Sequence, residues 1–361
     1  MKIVFFASGC EDYLSDSVLH GLRSLLGSNV VDFPKAERMY RGCPGEVLRR
    51  VHGGAMTLYG LLEDIGISRH DVSGRIERGE FDFVIFGDIY RDFGAFVQLV
   101  RRLDPRRTAL LDGADVESMY PYAGKWWRSP RHWFLPRANR FLYFKRELTP
   151  RTLRYRSFLA LPGWAAARLV PAWNLRPIAF SIPAEKVVAE RPAKLKLFAA
   201  HVVDPEVAAR VPGSSPAAPF SSETQYYEDL RQSRFGVTTK RSGWDCLRHY
   251  ELAANACVPC FRDLDRKPSS CAPHGLDSSN CIVYRDYGDL MRQIRAVTDT
   301  RYEQLQVAAL EWARANTTVE RARQLLRAIE PEAALHPALA GAGGSAGNCE
   351  RSGAVFAQRA K

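Results

Sequence analysis

The chain has 361 residues, of which 51 are lysine or arginine and 40 are aspartate or glutamate, giving a formal net charge of +11 at pH 7. This excess of basic residues indicates anionic partners. No apolar run reaches the ~20 residues of a membrane span, and the run after Met1 breaks at Gly9, too soon for a signal peptide. We therefore expect a cytoplasmic protein. Its length favours two domains, and 46% hydrophobic residues can fill both cores.

Apolar strands alternate with helices along most of the chain, as in parallel sheets covered by helices. In the first half, strands are predicted at 2–8, 29–33, 81–86, 108–111, 141–144 and 177–182, and helices at 14–26, 53–63 and 93–103. In the second half, strands are predicted at 195–200, 235–239, 258–261 and 281–284, and helices at 204–211, 226–233, 246–256, 289–297, 302–315 and 318–329. Residues from 333 onward are rich in Ala, Gly and Ser and are predicted to be disordered.

Acidic residues follow two of the predicted strands in the first half. Asp88 comes after one strand, and Asp112 and Asp115 come after the next. Because parallel α/β sheets bind ligands at the carboxyl ends of their strands, these residues are candidates for an acceptor site. Asp16, on the first predicted helix, and Asp115 are the candidates for a general base. For any single one of Asp88, Asp112 and Asp115, capping of a loop by an Asx turn is the favoured interpretation.

The segment 125–156 carries ten basic residues against one acid, Glu147, with three tryptophans among them. Aromatic rings stack on sugars, and basic side chains pair with phosphates. The composition therefore suits a carbohydrate or phosphorylated acceptor. It equally suits peripheral docking on an anionic membrane, at its inner face, or nucleic acid, which is the less favoured partner for the chain as a whole. A solvated basic surface with arginines extended over apolar neighbours is the alternative.

A basic turn, Lys240–Trp244, connects a predicted strand to a predicted helix in the stretch YYEDLRQSRFGVTTKRSGWDCLRHYELAANACVPCF. Exposed amides and the positive end of the helix dipole favour an anion at such a position, and Lys240 and Arg241 add full charges. Gly243 lies in the same turn, and we expect Asp245 to cap the helix by accepting hydrogen bonds from its first amides.

Two charged residues on that helix, Arg248 and Glu251, are three positions apart and so share a face. A guanidinium can fork onto phosphate oxygens, and a carboxylate one turn further can accept from both hydroxyls of a ribose. Together they suit a nucleoside diphosphate. An ordinary surface ion pair is the competing interpretation, since such pairs are common and weak.

The sequence GWDCLRHYELAANACVPCF resembles the donor-binding segment of GT-B glycosyltransferases, especially the spore-coat-protein and exostosin-like groups. The resemblance implies that Glu251 holds the donor ribose and that Arg248, Arg241 and Lys240 hold the diphosphate. Ala256 departs from the pattern, which prefers glycine where the helix ends. We expect this alanine to strain the turn without touching the ligand.

These observations predict an α/β protein with two Rossmann-like βαβ domains facing a cleft, the GT-B arrangement, with C-terminal helices crossing back. The predicted divisions are an acceptor-side domain at 1–182, a donor-binding domain at 183–332 and a disordered tail at 333–361.

The predicted function is metal-independent transfer of a sugar from a nucleotide-diphosphate sugar to a glycan or other anionic acceptor. That donor is a substrate, and no cofactor is expected. A nucleotide-sugar epimerase or hydrolase and a non-catalytic basic module for anionic lipid or nucleic acid are the alternatives. A zinc-like spacing also occurs, but buried free thiols are the favoured interpretation; its members are Cys257, Cys260, Cys271 and His274.

Overall fold

A computed structural model describes residues 1–51, 56–119, 141–152 and 174–329. We refer to residues 1–182 and 183–329 as the first and second halves of the chain. Most of the basic segment 125–156 and the whole of the tail 333–361 lie outside the described residues. Within the described ranges, no helix combines the length and apolarity needed to cross a membrane.

The first half builds a six-stranded sheet in which all strands are parallel, in the order β2-β1-β3-β4-β5-β6. Its strands are β1 Ile3–Phe6, β2 Val30–Phe33, β3 Phe83–Phe86, β4 Thr108–Asp112, β5 Leu142–Lys145 and β6 Leu175–Pro177. Because the chain moves to one side of β1 and then to the other, the crevice beyond β1 and β3 is where such a sheet can hold a ligand.

The helices of the first half are α1 Tyr13–Leu26, α2 Gly45–Leu48, α3 Val72–Glu77 and α4 Phe93–Leu99. The predicted helix at 53–63 is wrong over its described part, because residues 56–63 have no helical turn. Thr57 and Gly60 have φ angles of 70° and 68°, which a right-handed helix does not accommodate.

The second half builds a four-stranded parallel sheet in the order β10-β9-β8-β7. Its strands are β7 Lys196–Phe198, β8 Ser233–Thr239, β9 Val258–Arg262 and β10 Ile282–Tyr284; the helices before the C-terminal pair are α5 Pro205–Ala208, α6 Glu223–Gln232, α7 Leu247–Ala254 and α8 Tyr287–Ala296. Gly236 on β8 sets how closely α7 lies on this sheet. A Cβ at that position would come within 2.1 Å of the Leu252 side chain, so the missing side chain lets α7 pack directly on the strand.

The last two helices, α9 Asp299–Ala315 and α10 Thr318–Ile329, extend from the second sheet, and α10 packs back on α1. The crossing is close, since a Cβ on Gly21 would lie 1.9 Å from the Thr318 carbonyl oxygen. The Nδ1 atom of His20 lies 2.9 Å from the Thr318 hydroxyl, and the Thr318 amide donates to the Ile182 carbonyl at 2.8 Å. The predicted return of the C-terminal helices to the first half is confirmed.

Candidate functional site

Helix α7 carries both charged residues of the sequence motif. It begins at Leu247, with Cys246 as the N-cap residue. The expected capping by Asp245 is wrong, because this carboxylate accepts instead from the Phe180 amide at 2.8 Å and from the Tyr250 hydroxyl at 3.0 Å. Asp245 thus ties the start of α7 to the first half of the chain. The predicted strain at Ala256 is present, since its φ angle is 53°.

Arg248 and Glu251 both line a cavity of about 350 Å³, which we call the Arg248 pocket. Tyr13 and Met56 from the first half form part of its wall, so the pocket lies between the two sheets. This size lies within the range of small-molecule sites. The lining residues are Tyr13, Met56, His201, Ala218, Phe220, Tyr226, Cys246, Leu247, Arg248 and Glu251.

The carboxylate of Glu251 is held from two sides. Its Oε2 accepts from the Tyr226 hydroxyl at 2.8 Å, and its Oε1 accepts from the Thr57 hydroxyl at 2.5 Å. Glu251 is only 8% exposed, and this burial raises its pKa above the ordinary value. A carboxylate has about four lone-pair positions, so the two that remain can accept further hydrogen bonds.

His201, which the sequence interpretation missed, lies beside Arg248, just after the carboxyl end of β7 in the second sheet. Its Nδ1 is 3.4 Å from the Arg248 Nη2. Burial, and then the neighbouring Arg248 charge, lower the pKa of His201 to about 4. The ring is therefore neutral at pH 7, and its Nδ1 accepts from the guanidinium. The residue follows β7, so the rule that ligands bind at strand ends would have found it.

No residue of the basic turn Lys240–Trp244 lines the Arg248 pocket, which contains Arg248 and Glu251. Lys240 lines a different cavity of about 570 Å³, the Lys240 pocket, and its Nζ lies 5.1 Å from the centre of the Trp244 ring. Arg241 is exposed, near enough to His201 for its charge to help lower that pKa. The Lys240 pocket is lined by Asp115, Val116, Glu117, Glu147, Thr149, Pro150, Arg151, Lys240, Ser242, Trp244 and Pro268.

The amides expected to bind a phosphate bind Glu147 of the first half instead. Its Oε1 accepts from the backbone N–H of Trp244 at 2.8 Å and of Asp245 at 3.3 Å. Gly243 makes this approach feasible, because a Cβ there would lie 2.5 Å from the same oxygen. Arg146 adds a hydrogen bond from Nη1 to the Asp245 carbonyl at 2.8 Å. The expected phosphate role of these amides is therefore corrected to an internal contact between the two halves.

The two base candidates lie in different surroundings. Asp16 is fully buried on α1, where Arg38 donates from Nη2 to its Oδ1 at 2.5 Å and from Nε to its Oδ2 at 2.9 Å. This placement argues against the predicted base role, because a base has to reach the acceptor. The side chain of Asp115 is half exposed, pairs with Arg146 and lines the Lys240 pocket.

Two other acids lie near the carboxyl ends of β1 and β3. Asp12 caps α1 by accepting from the Ser15 amide at 2.8 Å, and Asp92 accepts from the Asp88 amide at 3.1 Å. Burial raises the pKa of each carboxyl to about 7. Asp12 immediately precedes Tyr13, which lines the Arg248 pocket.

Among the residues that the structure describes, no group of three or more His, Cys, Asp or Glu side chains is arranged to hold a metal ion. Three of the four residues with zinc-like spacing are buried thiols. Cys257 lies between α7 and β9, Cys260 lies on β9, and burial raises the pKa of both thiols. The Cys271 thiol donates to Glu147 at 2.9 Å.

The fold is similar to that of HepE (Alr3699) from Anabaena. The match to HepE in complex with UDP and glucose has a TM-score of 0.51 and 10% sequence identity, and covers 92% of this chain and 100% of HepE. The crystal structure with UDP-glucose gives a TM-score of 0.50 at 9% identity with the same coverage. At this identity the similarity concerns the fold alone.

No family model matches the sequence. No curated protein matches it either.

The chain has the GT-B fold: two Rossmann-like parallel α/β sheets face a cleft, and the C-terminal helices return to the first sheet. The predicted fold class is thereby confirmed for the described residues. The boundary at 182/183 and the assignment to the spore-coat-protein and exostosin-like groups stay predictions.

Proposed function

We propose that this chain is a glycosyltransferase that takes a sugar from a nucleotide-diphosphate donor bound in the Arg248 pocket. The observation that carries the proposal is the convergence of Arg248 and Glu251, one helical turn apart, on one cavity between the two sheets. The Nε of Arg248 is buried without a hydrogen-bond partner among the described residues. A buried donor without a partner is costly, and a phosphate oxygen would satisfy it.

Three residues of the pocket have distinct tasks in this reaction. Arg248 donates to the diphosphate oxygens and stabilises the negative charge that develops as the bond from the sugar's anomeric carbon to the diphosphate oxygen breaks. Glu251 accepts from the ribose hydroxyls with its two remaining lone-pair positions. His201 is neutral and accepts from Arg248, so it fixes the guanidinium without competing for the anion.

HepE shares the fold, and its structures contain UDP, glucose and UDP-glucose, which supports a nucleotide sugar as the donor class. The acceptor in our proposal is a glycan or another anionic molecule that enters from the first half. The net charge of +11 favours an anionic acceptor.

Binding of nucleoside diphosphates tests the proposal directly. Thermal shift and calorimetry with UDP, TDP, GDP, ADP and CDP should reveal at least one ligand. Glu251→Ala should weaken the best one by roughly 1–3 kcal/mol, because the ribose hydroxyls lose a charged acceptor. Hydrolysis or transfer assays with the matching nucleotide sugars then test turnover. If none of the five diphosphates binds, or if Glu251→Ala binds as tightly as the unmodified protein, the proposal is wrong.

A further inference from the structure

Thr57 adopts a backbone conformation that its side chain disfavours. Its φ angle is 70°, in the left-handed region where a β-branched residue is rare, and it is 2% exposed. A residue is kept in such a conformation only where its surroundings hold it, and such residues concentrate at functional sites. The contacts of Thr57 therefore indicate which interactions keep it in this strained conformation.

All three of its hydrogen bonds that we describe reach the second half of the chain. The Thr57 amide donates to the Glu223 Oε1 at 2.6 Å. Its hydroxyl lies 2.8 Å from the Tyr227 hydroxyl and 2.5 Å from the Glu251 Oε1. The Thr57 hydroxyl has a single proton, which it donates to Glu251, so it accepts from the Tyr227 hydroxyl.

We propose that Thr57 is a positioning residue that reaches across from the first half and orients the Glu251 carboxylate toward the ribose diol. This inference rests on the proposed function. Thr57 fixes one carboxylate oxygen and Tyr226 fixes the other, so the plane of the carboxylate is set before a ligand arrives. Both oxygens keep a lone pair for the ligand, and a preoriented acceptor loses less entropy on binding.

Because the φ angle of Thr57 is left-handed, its hydroxyl can be removed by a substitution that adds no backbone strain. Thr57→Gly removes the hydroxyl and suits the φ angle, so it relieves strain while it removes the contact. Thr57→Ser keeps the hydroxyl. The matched control is Asp263→Gly, since Asp263 also has a left-handed φ of 58° but lies after β9 and lines neither of the two pockets.

The experiment is calorimetry with the ribonucleoside diphosphate that binds best among UDP, GDP, ADP and CDP, and with its 2′,3′-dideoxy counterpart. Thr57→Gly should bind the ribonucleotide about tenfold more weakly, because a hydrogen bond to a charged group is lost. Its affinity for the dideoxy compound should change by less than about twofold, since that ligand has no hydroxyl for Glu251 to accept from. Thr57→Ser and Asp263→Gly should match the unmodified protein with both ligands.

Equal losses for the two ligands would assign Thr57 a purely structural role and overturn the inference, and so would unchanged affinity for both. If Thr57→Gly does not fold, as judged by urea denaturation, Thr57→Ala serves in its place with the same expected selectivity. If the unmodified protein binds none of the five diphosphates, the proposed function itself fails. A protein that binds a diphosphate but shows no selective loss refutes the role of Thr57 alone.

Discussion

The Arg248 pocket and the Lys240 pocket are both lined in part by the segment that joins β8 to α7, yet they differ in their balance of charge. The first has one cation and one acid, and the Nε–H of Arg248 has no hydrogen-bond partner within the described part of the chain. The second has three acids against two cations, and the amides beside it already hold Glu147. One sequence motif thus contributes to two pockets that differ in their balance of charge.

The difference shows that an anion site at the start of a helix can be filled by the protein itself. Exposed amides before a helix attract negative charge whether it belongs to a ligand or to a side chain. Here Glu147, from the strand end of the first sheet, supplies it, and Gly243 gives it room. The same contact fixes the second half against the first, and in our proposal nucleotide binding falls to the side chains of α7.

The largest effect expected from this comparison is on nucleotide binding. Arg248→Ala should weaken the best nucleoside diphosphate by about 1.5–3 kcal/mol, or roughly 10- to 150-fold, because charged hydrogen bonds to phosphate are lost. Lys240→Ala is the matched control in the Lys240 pocket and should change the affinity by less than about twofold. Calorimetry measures both. An equal loss in the two variants would mean that the ligand spans both pockets.

A second variant tests whether the turn is structural. Glu147→Ala should lower the free energy of unfolding by about 1–3 kcal/mol, because the Trp244 and Asp245 amides lose their acceptor and the buried Arg146 loses a partner. Urea denaturation measures the change. Glu117 lines the same pocket but is more exposed, so Glu117→Ala should alter stability by less than about 0.5 kcal/mol. If the two variants unfold alike, Glu147 does not fasten the turn.

Periodicity and strand composition predicted the two sheets, because parallel strands buried on both faces are apolar throughout. The spacing of Arg248 and Glu251 also predicted that they share a face, since three residues make about one helical turn. The hydrogen-bond partners of these residues could not be predicted from the sequence. Thr57 and Glu147 are separated from α7 by long stretches of chain. No local sequence pattern indicates which distant carboxylate accepts hydrogen bonds from the Trp244 and Asp245 amides. A fully buried Asp16 likewise depends on Arg38, which belongs to another element.

A smaller effect is expected in the pH dependence of stability, through His201 of the Arg248 pocket. The pKa of His201 falls from its ordinary 6.5 to about 4 on folding. Between these values the unfolded chain binds a proton and the folded chain does not, so stability falls as the pH drops from 6.5 to 4. In His201→Gln this loss should be smaller by about 1–2 kcal/mol. Urea denaturation at pH 7 and pH 4.5 measures it, and an unchanged difference between the two pH values would contradict the assignment.

The smallest effect is expected from removal of divalent cations. This experiment tests whether the protein's own positive charge is enough to bind a diphosphate in the Arg248 pocket. A diphosphate carries more negative charge than one guanidinium can neutralise, and Lys240 lies in the other pocket. The remaining compensation comes in our proposal from Arg241 near His201 and from the basic chain as a whole, whose field acts over several ångströms. EDTA should therefore change nucleoside diphosphate affinity by less than about twofold in calorimetry, whereas 0.5 M NaCl should weaken it, because exposed charges are screened. A loss of binding in EDTA that magnesium restores would mean that a metal ion supplies the charge that the turn does not.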